Sequence, residues 1–323
     1  MKGLMLNQAV TKNLAEADPP RDVIVAICTF NRNKELDHLL EKLIEYGNAN
    51  WSEIRIGLTV IDDSPGAGAK SVVDKYSGQF PLGAVYENSA SRNISIARNL
   101  ALAKSINRGA WIAMTDDDCE PSEQWLSELV RVRALTKADV VTGLMLRRAP
   151  SHAPAWISEQ PFLELGEFSA GDGDELSVAQ TNNSLISSSF LLSHPELQFD
   201  PRFGRIGGED MAFFHSLKMA GAKIVFAAHA FVYENEPDNR LTLRYQLRRY
   251  YWHGNSSIHT SLESGKWRVR LLIHALATLI RAAARPVARA AQGGEPQFLF
   301  ALALLAEGFG KLAGIAGIRV SHK

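Results

Sequence analysis

Cysteine is scarce: the 323-residue chain contains only Cys28 and Cys119. That excludes a disulfide framework and suits a reducing compartment. No neighbouring motif marks either cysteine as a nucleophile, so both read as small core thiols. An excess of one charge is missing too. Lysine plus arginine and aspartate plus glutamate each number 35, so no global field attracts nucleic acid and any charged site is local. Residues 1–21 form an N-terminal extension with Lys2 and scattered apolar residues, without the apolar stretch a signal peptide needs. There is no internal repeat and no low-complexity tract. No glycine-rich dinucleotide fingerprint follows the first strand, and no phosphate loop ending in Gly-Lys-Ser/Thr occurs anywhere. With both backbone cradles for phosphate absent, a metal ion with arginines is the remaining route.

What is present is an alternation of strand and helix patterns. Residues 23–30 are a continuous apolar run, as in a strand covered on both faces. Leu36, Leu39, Leu40, Leu43 and Ile44 follow at helical spacing. Residues 54–61 form the next strand and end in the abrupt turn Asp62-Asp63-Ser64-Pro65-Gly66. A helix over 69–76, a strand over 84–86 and a helix over 94–105 lead to a strand starting at Trp111. This order predicts a doubly wound, mostly parallel α/β sheet. Polar residues collect where the strands end: Thr29, Asn31 and Arg32, then Asp62 and Asp63, then Asp116-Asp117-Asp118. Ligands of open α/β sheets bind at that edge.

Three adjacent carboxylates repel unless protonated, paired or bound to a cation. Mg²⁺ or Mn²⁺ would neutralise them, with substrate phosphates completing its shell; the alternative is an acidic turn that caps the next helix. Arg32 and Arg98 are candidates for the phosphates, although Arg98 also suits the exposed face of an amphipathic helix.

Four pieces together carry a resemblance: Ile27-Cys-Thr-Phe-Asn-Arg32, Val60-Ile-Asp-Asp-Ser64, Ser95-Ile-Ala-Arg-Asn99 and Ile112-Ala-Met-Thr-Asp-Asp-Asp118. In this order and spacing the chain resembles a family 2 glycosyltransferase of the GT-A fold, the group that builds bacterial surface polysaccharides. The resemblance covers about residues 22–255. It implies that Thr29 and Asp62 or Asp63 contact a uracil-type base and its ribose, and that Arg98 lies against the nucleotide-sugar. It places Asp116 at the ribose or sugar and Asp118 on the metal, with Asp116 beside it and Asp117 as the variable middle residue.

Downstream, residues 140–146 read as a strand and residues 149–179, rich in Pro, Gly and acids, as a mobile loop. Gly207-Gly208-Glu209-Asp210 comes next; the glycines permit a tight turn and close approach to a ligand. Acids here also suit a helix N-terminus. The motif resembles the family's acceptor site, which implies Asp210 as catalytic base and Glu209 in acceptor positioning, with inversion at the transferred carbon. His229 follows the strand opened by residues 224–226 and reads either as a third metal ligand or as a structural histidine. Arg240, Arg244 and Arg248 recur every four residues, which predicts one basic helical face. That face is either a solvated stripe or a clamp for a diphosphate, a polyprenyl-diphosphate acceptor or anionic headgroups.

The tail, residues 256–323, has apolar runs over 267–285 and 298–318, the second near membrane-span length but interrupted by Glu307 and Lys311. An interfacial or re-entrant pair of helices over 267–318, at the cytoplasmic face of an anionic inner membrane, is expected. The domain plan is thus 22–147 for the nucleotide-sugar, 148–255 for the acceptor, and a membrane-associating tail. The expected activity is metal-dependent, inverting transfer from a UDP-sugar to a lipid-linked glycan. A nucleotidyl- or phosphotransferase on the same metal site, or a non-catalytic nucleotide- or glycan-binding module, are the alternatives.

Overall fold

A computed structural model describes residues 21–50, 53–163, 170–205, 207–263 and 265–320. The first elements are β1 (Arg21–Thr29), α1 (Asn33–Asn50), β2 (Ile54–Asp62), α2 (Lys70–Tyr76), β3 (Ala84–Asn88), α3 (Ile94–Ser105) and β4 (Trp111–Asp116). β5 (Cys119–Pro121), α4 (Trp125–Thr136), β6 (Val140–Arg148), α5 (Ala155–Glu159), β7 (Ser184–Ser187) and α6 (Ser188–Ser193) follow. The chain continues as α7 (Glu209–Met219), β8 (Ile224–Asn235), α8 (Leu243–Glu263), α9 (Arg268–Ala291) and α10 (Phe298–Ile315).

The strands form one eight-stranded sheet in the order β3-β2-β1-β4-β7-β6-β8-β5. β1 pairs in parallel with both β2 and β4, and β2 with β3. Val23, Ile24, Val25 and Ile27 are fully buried, because helices cover both faces of this half. Each such side chain contributes roughly 1.5–3 kcal/mol through removal from water. Beyond β4 the sheet changes direction, with β7 antiparallel to both β4 and β6. The alternation read from the sequence thus holds for the first half, while the second half is mixed.

Strand order reverses at β1, since β2 lies on one side of it and β4 on the other. A crevice opens at such a switch point. Register then fixes what lines it: Thr29 is opposite Asp62, Cys28 opposite Asp116, and Asp62 opposite Asn88.

The described residues cluster into two compact units. One is drawn from Met1–Met145, Ser169–Gln198 and Phe213–Val232, the other from Leu146–Phe168, Phe199–Ala212 and Tyr233–Lys323. Within the first, Asn183 is fully buried. Its amide accepts from Trp125 Nε1 and donates to the carbonyls of Leu144 and Ala230, tying α4, β6 and β8 together.

Within the second unit, α8 lies against α10 at backbone contact. A Cβ on Gly254 would stand 2.1 Å from the Glu307 carbonyl oxygen, and one on Gly310 would stand 2.0 Å from that of Tyr251. Small residues are required at these points. Glu307 and Lys311 pair at 2.6 Å, and Lys311 also donates to Thr278 of α9, so the charges that interrupt the apolar run are satisfied between helices. Both α9 and α10 are long and apolar enough to cross a membrane.

The mobile loop expected over residues 149–179 is corrected where it is described; residues 164–169 lie outside the described residues. Ile157 and Phe162 are buried in a cluster with Leu241, Phe300 and Ala303, and the Phe162 ring meets Phe300 edge-on at 5.3 Å. Its apolar residues lack periodicity because their partners come from α10, far along the chain.

Candidate active site

The crevice at the ends of β1 and β4 is built around Asp117. Thr29 Oγ1 donates to one of its oxygens at 2.7 Å, and Arg32 donates to the other at 2.8 Å. Asn31, at φ +56°, turns the chain so that Arg32 folds back on the acids; asparagine tolerates this left-handed conformation better than most residues. Arg32 also reaches Asp118 at 2.7 Å. Desolvation raises the Asp117 carboxyl above its ordinary value, against the pull of Arg32 and Thr29. For Arg32, Asp118 and Asp117 overcome desolvation and raise its pKa further.

The middle aspartate therefore points inward, with a side chain 4% exposed, whereas Asp116 and Asp118 are 37% and 21% exposed. Arg98 completes the group, 3.4 Å from Asp116 with its side chain 9% exposed. The exposed-face reading of Arg98 is thereby overturned. α3 also buries Ser95, Ala97, Ala101 and Leu102.

Asp62 and Asp63 are placed at the crevice, but their carboxylates face into the protein. Asp62 is fully buried and accepts from the Ser64 and Ala69 amides, the Ser64 hydroxyl and the Tyr86 hydroxyl. Desolvation, the Asp62 charge and this bond push Tyr86 up to about 12, so its hydroxyl stays a donor. Asp63 accepts from both hydroxyls of Ser89 and Ser91 and from the amides of Ser91, Arg92 and Asn93. That loop contains Ala90 at φ +45° and Arg92 at φ +52°, each costing about 1–2 kcal/mol. Hydrogen bonds to a carboxylate are worth roughly 1.5–3 kcal/mol apiece, so Asp63 outweighs the strain. Thr29, Asp62 and Asp63 thereby shape the crevice, as buried polar groups take nearby protein partners. The serines and asparagines of residues 88–93 were missed in the sequence, where only their turn-forming composition signals them.

The thiol of Cys28 also borders this group. Desolvation, opposed by Arg98 and reinforced by Asp116, Asp117 and Asp63, pushes it up to about 12, which leaves it protonated and inert.

In the second unit, Gly207 and Gly208 both have left-handed φ, +87° and +91°. A Cβ on Gly207 would come within 2.7 Å of the Trp252 ring. The turn delivers Glu209, which is buried, and Asp210, which is partly exposed and accepts from the Met211 amide, at the start of α7.

The single basic face predicted for residues 240–248 is corrected. α8 starts at Leu243, and Arg240 precedes it in a 3-10 turn over Asp238–Arg240. Arg240 bonds to Glu234 at 2.5 Å, while Arg244 and Arg248 are exposed on α8. Behind them Arg249 bonds at 2.7 Å to the buried Glu236, with Arg147 3.7 Å from Glu234 and from Glu236. His229 sits in mid-strand at an outward position of β8, near Asp172, because β8 runs on to Asn235. It does not join Asp116 and Asp118: among the described residues no group of three or more His, Cys, Asp or Glu side chains could by itself hold a metal ion.

The donor set nevertheless fits a divalent cation of the Mg²⁺ or Mn²⁺ type. Asp116 and Asp118 are hard oxygen donors at the open side of the turn, and such ions keep positions for phosphate and water. Arg32 sits on Asp118 where positive charge is required.

Residues 24–190 match the family described as Glycosyl transferase family 2. The chain is 29% identical over 238 residues to the succinoglycan biosynthesis protein ExoM of Rhizobium meliloti (strain 1021), covering 72% of each chain. Among solved structures it is similar to the mannosyltransferase PcManGT from Pyrobaculum calidifontis in complex with GDP-Man and Mn²⁺. That likeness has a TM-score of 0.58 at 16% identity, over 96% of this chain and 94% of the other. It is also similar to GalNAc-T7 with UDP, GalNAc and Mn²⁺, with a TM-score of 0.53 at 15% identity. There it covers 75% of this chain but about half, 51%, of the other. These structural likenesses bear on the fold, which is GT-A.

Asp63→Ala removes the acceptor for the Ser89–Asn93 loop. The unfolding free energy should fall by roughly 2–4 kcal/mol in urea titration, and an unchanged midpoint would contradict the role given to Asp63.

Proposed function

Because the chain belongs to glycosyl transferase family 2, we propose that it transfers a hexose, with inversion, from a UDP-sugar to a hydroxyl of a lipid-linked oligosaccharide during surface polysaccharide assembly. The observation that carries this reading is the division among the three aspartates. Asp117 is neutralised internally, which leaves Asp116 and Asp118 at the open side beside Arg98. Asp118 with Asp116 would hold the divalent cation, which when bound offsets charge developing on the nucleoside diphosphate. Arg98 adds a fixed guanidinium for the donor phosphates. The kinship with an exopolysaccharide protein supports the polymer class.

Asp210 accepts the proton of the acceptor hydroxyl as its oxygen bonds to the anomeric carbon. The bond from that carbon to the diphosphate breaks, and the nucleoside diphosphate leaves with the electron pair. One displacement inverts the centre, so no protein nucleophile is required; the protonated Cys28 thiol is consistent with this. Buried Glu209, beside Asp210 at the start of α7, would position the acceptor.

With purified protein, Mn²⁺ and a panel of UDP-hexoses, Asp210→Asn should lower turnover by about 10²–10⁴-fold and leave donor affinity unchanged. Proton NMR of the wild-type product should show the inverted anomer. Retention of configuration, or full turnover by the variant, would rule the mechanism out.

The enzyme is further proposed to lie on the cytoplasmic face of the membrane through residues 267–318. Val269, Ile273, Leu276, Ile280 and Val287 of α9 are exposed and spaced at 4, 3, 4 and 7 residues, one apolar stripe opposite buried Leu271, Ala275 and Ala282. The helix carries arginines 268, 270, 281, 285 and 289 and no acid, which favours anionic headgroups by about 1 kcal/mol per cation near the surface. Ile273→Asp with Ile280→Asp should reduce sedimentation with phosphatidylglycerol vesicles at least tenfold. Undiminished sedimentation would remove α9 as the contact.

A further inference from the structure

Resting on the lipid-linked acceptor proposed above, we infer that a pocket between α8 and the segment after α10 receives the diphosphate of that acceptor. The pocket has a volume of about 170 Å³ and lies wholly within the second unit. Phe203, Gly207, Ser256, His259, Thr260 and Arg319 line it.

The wall carrying Arg319 is held in place. Gly317, at φ +87°, turns the chain after α10. Asn255, almost fully buried on α8, then donates to the Ile318 carbonyl at 2.8 Å and accepts from the Val320 amide at 3.0 Å. His259 Nε2 lies 3.0 Å from the same Ile318 carbonyl. A carbonyl only accepts, so Nε2 donates to it; Nδ1 is left for a ligand and donates to a phosphoryl oxygen only in the doubly protonated imidazolium. The strap thereby holds Arg319 beside the imidazole and the hydroxyl-bearing face of α8.

The chemistry of the lining selects the ligand. Among the described residues the lining offers a guanidinium, an imidazole and the Ser256 hydroxyl but no carboxylate, a set suited to phosphoryl oxygens; the Thr260 hydroxyl is already donated to the Ser256 carbonyl. The volume is small beside the roughly 300–1,000 Å³ of pockets for drug-sized ligands and admits a diphosphate group. Two neighbours point to a lipid ester rather than a free anion. Arg268 Nη1 reaches the Ile315 carbonyl, so the basic start of α9 adjoins the end of α10 from which the strap departs. Trp267, immediately before it, is 81% exposed, and exposed Trp and Arg are residues of the membrane–water boundary. The opposite wall, Gly207, begins the turn that leads to Asp210. An acceptor held here has its phosphates in protein while its prenyl chain stays in lipid.

The test is titration of the full chain in detergent with farnesyl diphosphate, inorganic diphosphate and farnesol, in EDTA so that the donor carboxylates hold no cation. Farnesyl diphosphate should bind, and Arg319→Gln and His259→Gln should each weaken it about tenfold or more. Lys70→Gln, a loss of the same charge in the first unit, should leave it unchanged. Inorganic diphosphate should compete more weakly, and farnesol should not bind the pocket. Undiminished affinity in both pocket variants overturns the assignment. Equal affinity for inorganic diphosphate makes this a free-anion site and overturns the lipid part, and equal affinity for farnesol overturns the diphosphate part. UDP binding with Mn²⁺ is measured on the same variants and should not change. Its retention while the pocket assignment fails leaves the transferase reading standing, whereas failure of wild-type protein to bind any UDP-sugar removes that reading by itself.

Discussion

The active crevice depends on how one short turn accommodates three consecutive carboxylates. Side by side at a strand end, Asp116, Asp117 and Asp118 would repel one another and bury charge at a cost. The fold resolves this by turning the middle one inward, onto Thr29 and Arg32, so that the end of β1 is tied to the end of β4. A buried carboxylate with two strong donors is stable, and losing either donor would leave it uncompensated. The outer two lie nearer the surface of the crevice, paired with Arg32 and Arg98. The geometry of the donor site is thus a by-product of satisfying Asp117.

The same logic runs along the rest of the sheet edge. Asp62 and Asp63 are buried carboxylates that gather hydroxyls and amides and so hold the turns after β2 and β3 in conformations those sequences would not adopt alone. Ala90 and Arg92 in left-handed backbone are the visible cost. In the second unit the constraint is steric: paired glycines at 207 and 208 let the turn before Asp210 pass close to Trp252, and glycines of α8 and α10 let those helices meet at backbone distance.

Much of this was legible in the sequence. Apolar runs and helical spacing predicted β1 to β4 and their helices, because parallel strands covered on both faces leave an unmistakable pattern. The polar clusters after those strands marked the crevice. Composition alone did not reveal which way a carboxylate points. The protein partners of Asp62, Asp63 and Asp117, at Tyr86, Ser89–Asn93 and Thr29, carry no signal in the sequence because they become neighbours only through strand register. Arg98 looked equally good on an exposed face until α3 was seen to bury it. The four-residue spacing of Arg240, Arg244 and Arg248 was misleading because a 3-10 turn breaks the period before α8. Asn183, Glu236 and Arg249 carried no local signal; their importance lies in contacts with residues far along the chain.

The most direct test of this account is Mn²⁺ affinity, followed by the electron paramagnetic resonance of the free ion, with and without UDP. Two outer carboxylates, with no third His, Cys, Asp or Glu ligand among the described residues, should bind Mn²⁺ weakly alone and at least about tenfold more tightly once a diphosphate completes the shell, with UDP affinity rising by the same factor. Equal Mn²⁺ affinity in both conditions, or tight binding by the protein alone, would contradict the division of roles among Asp116, Asp117 and Asp118.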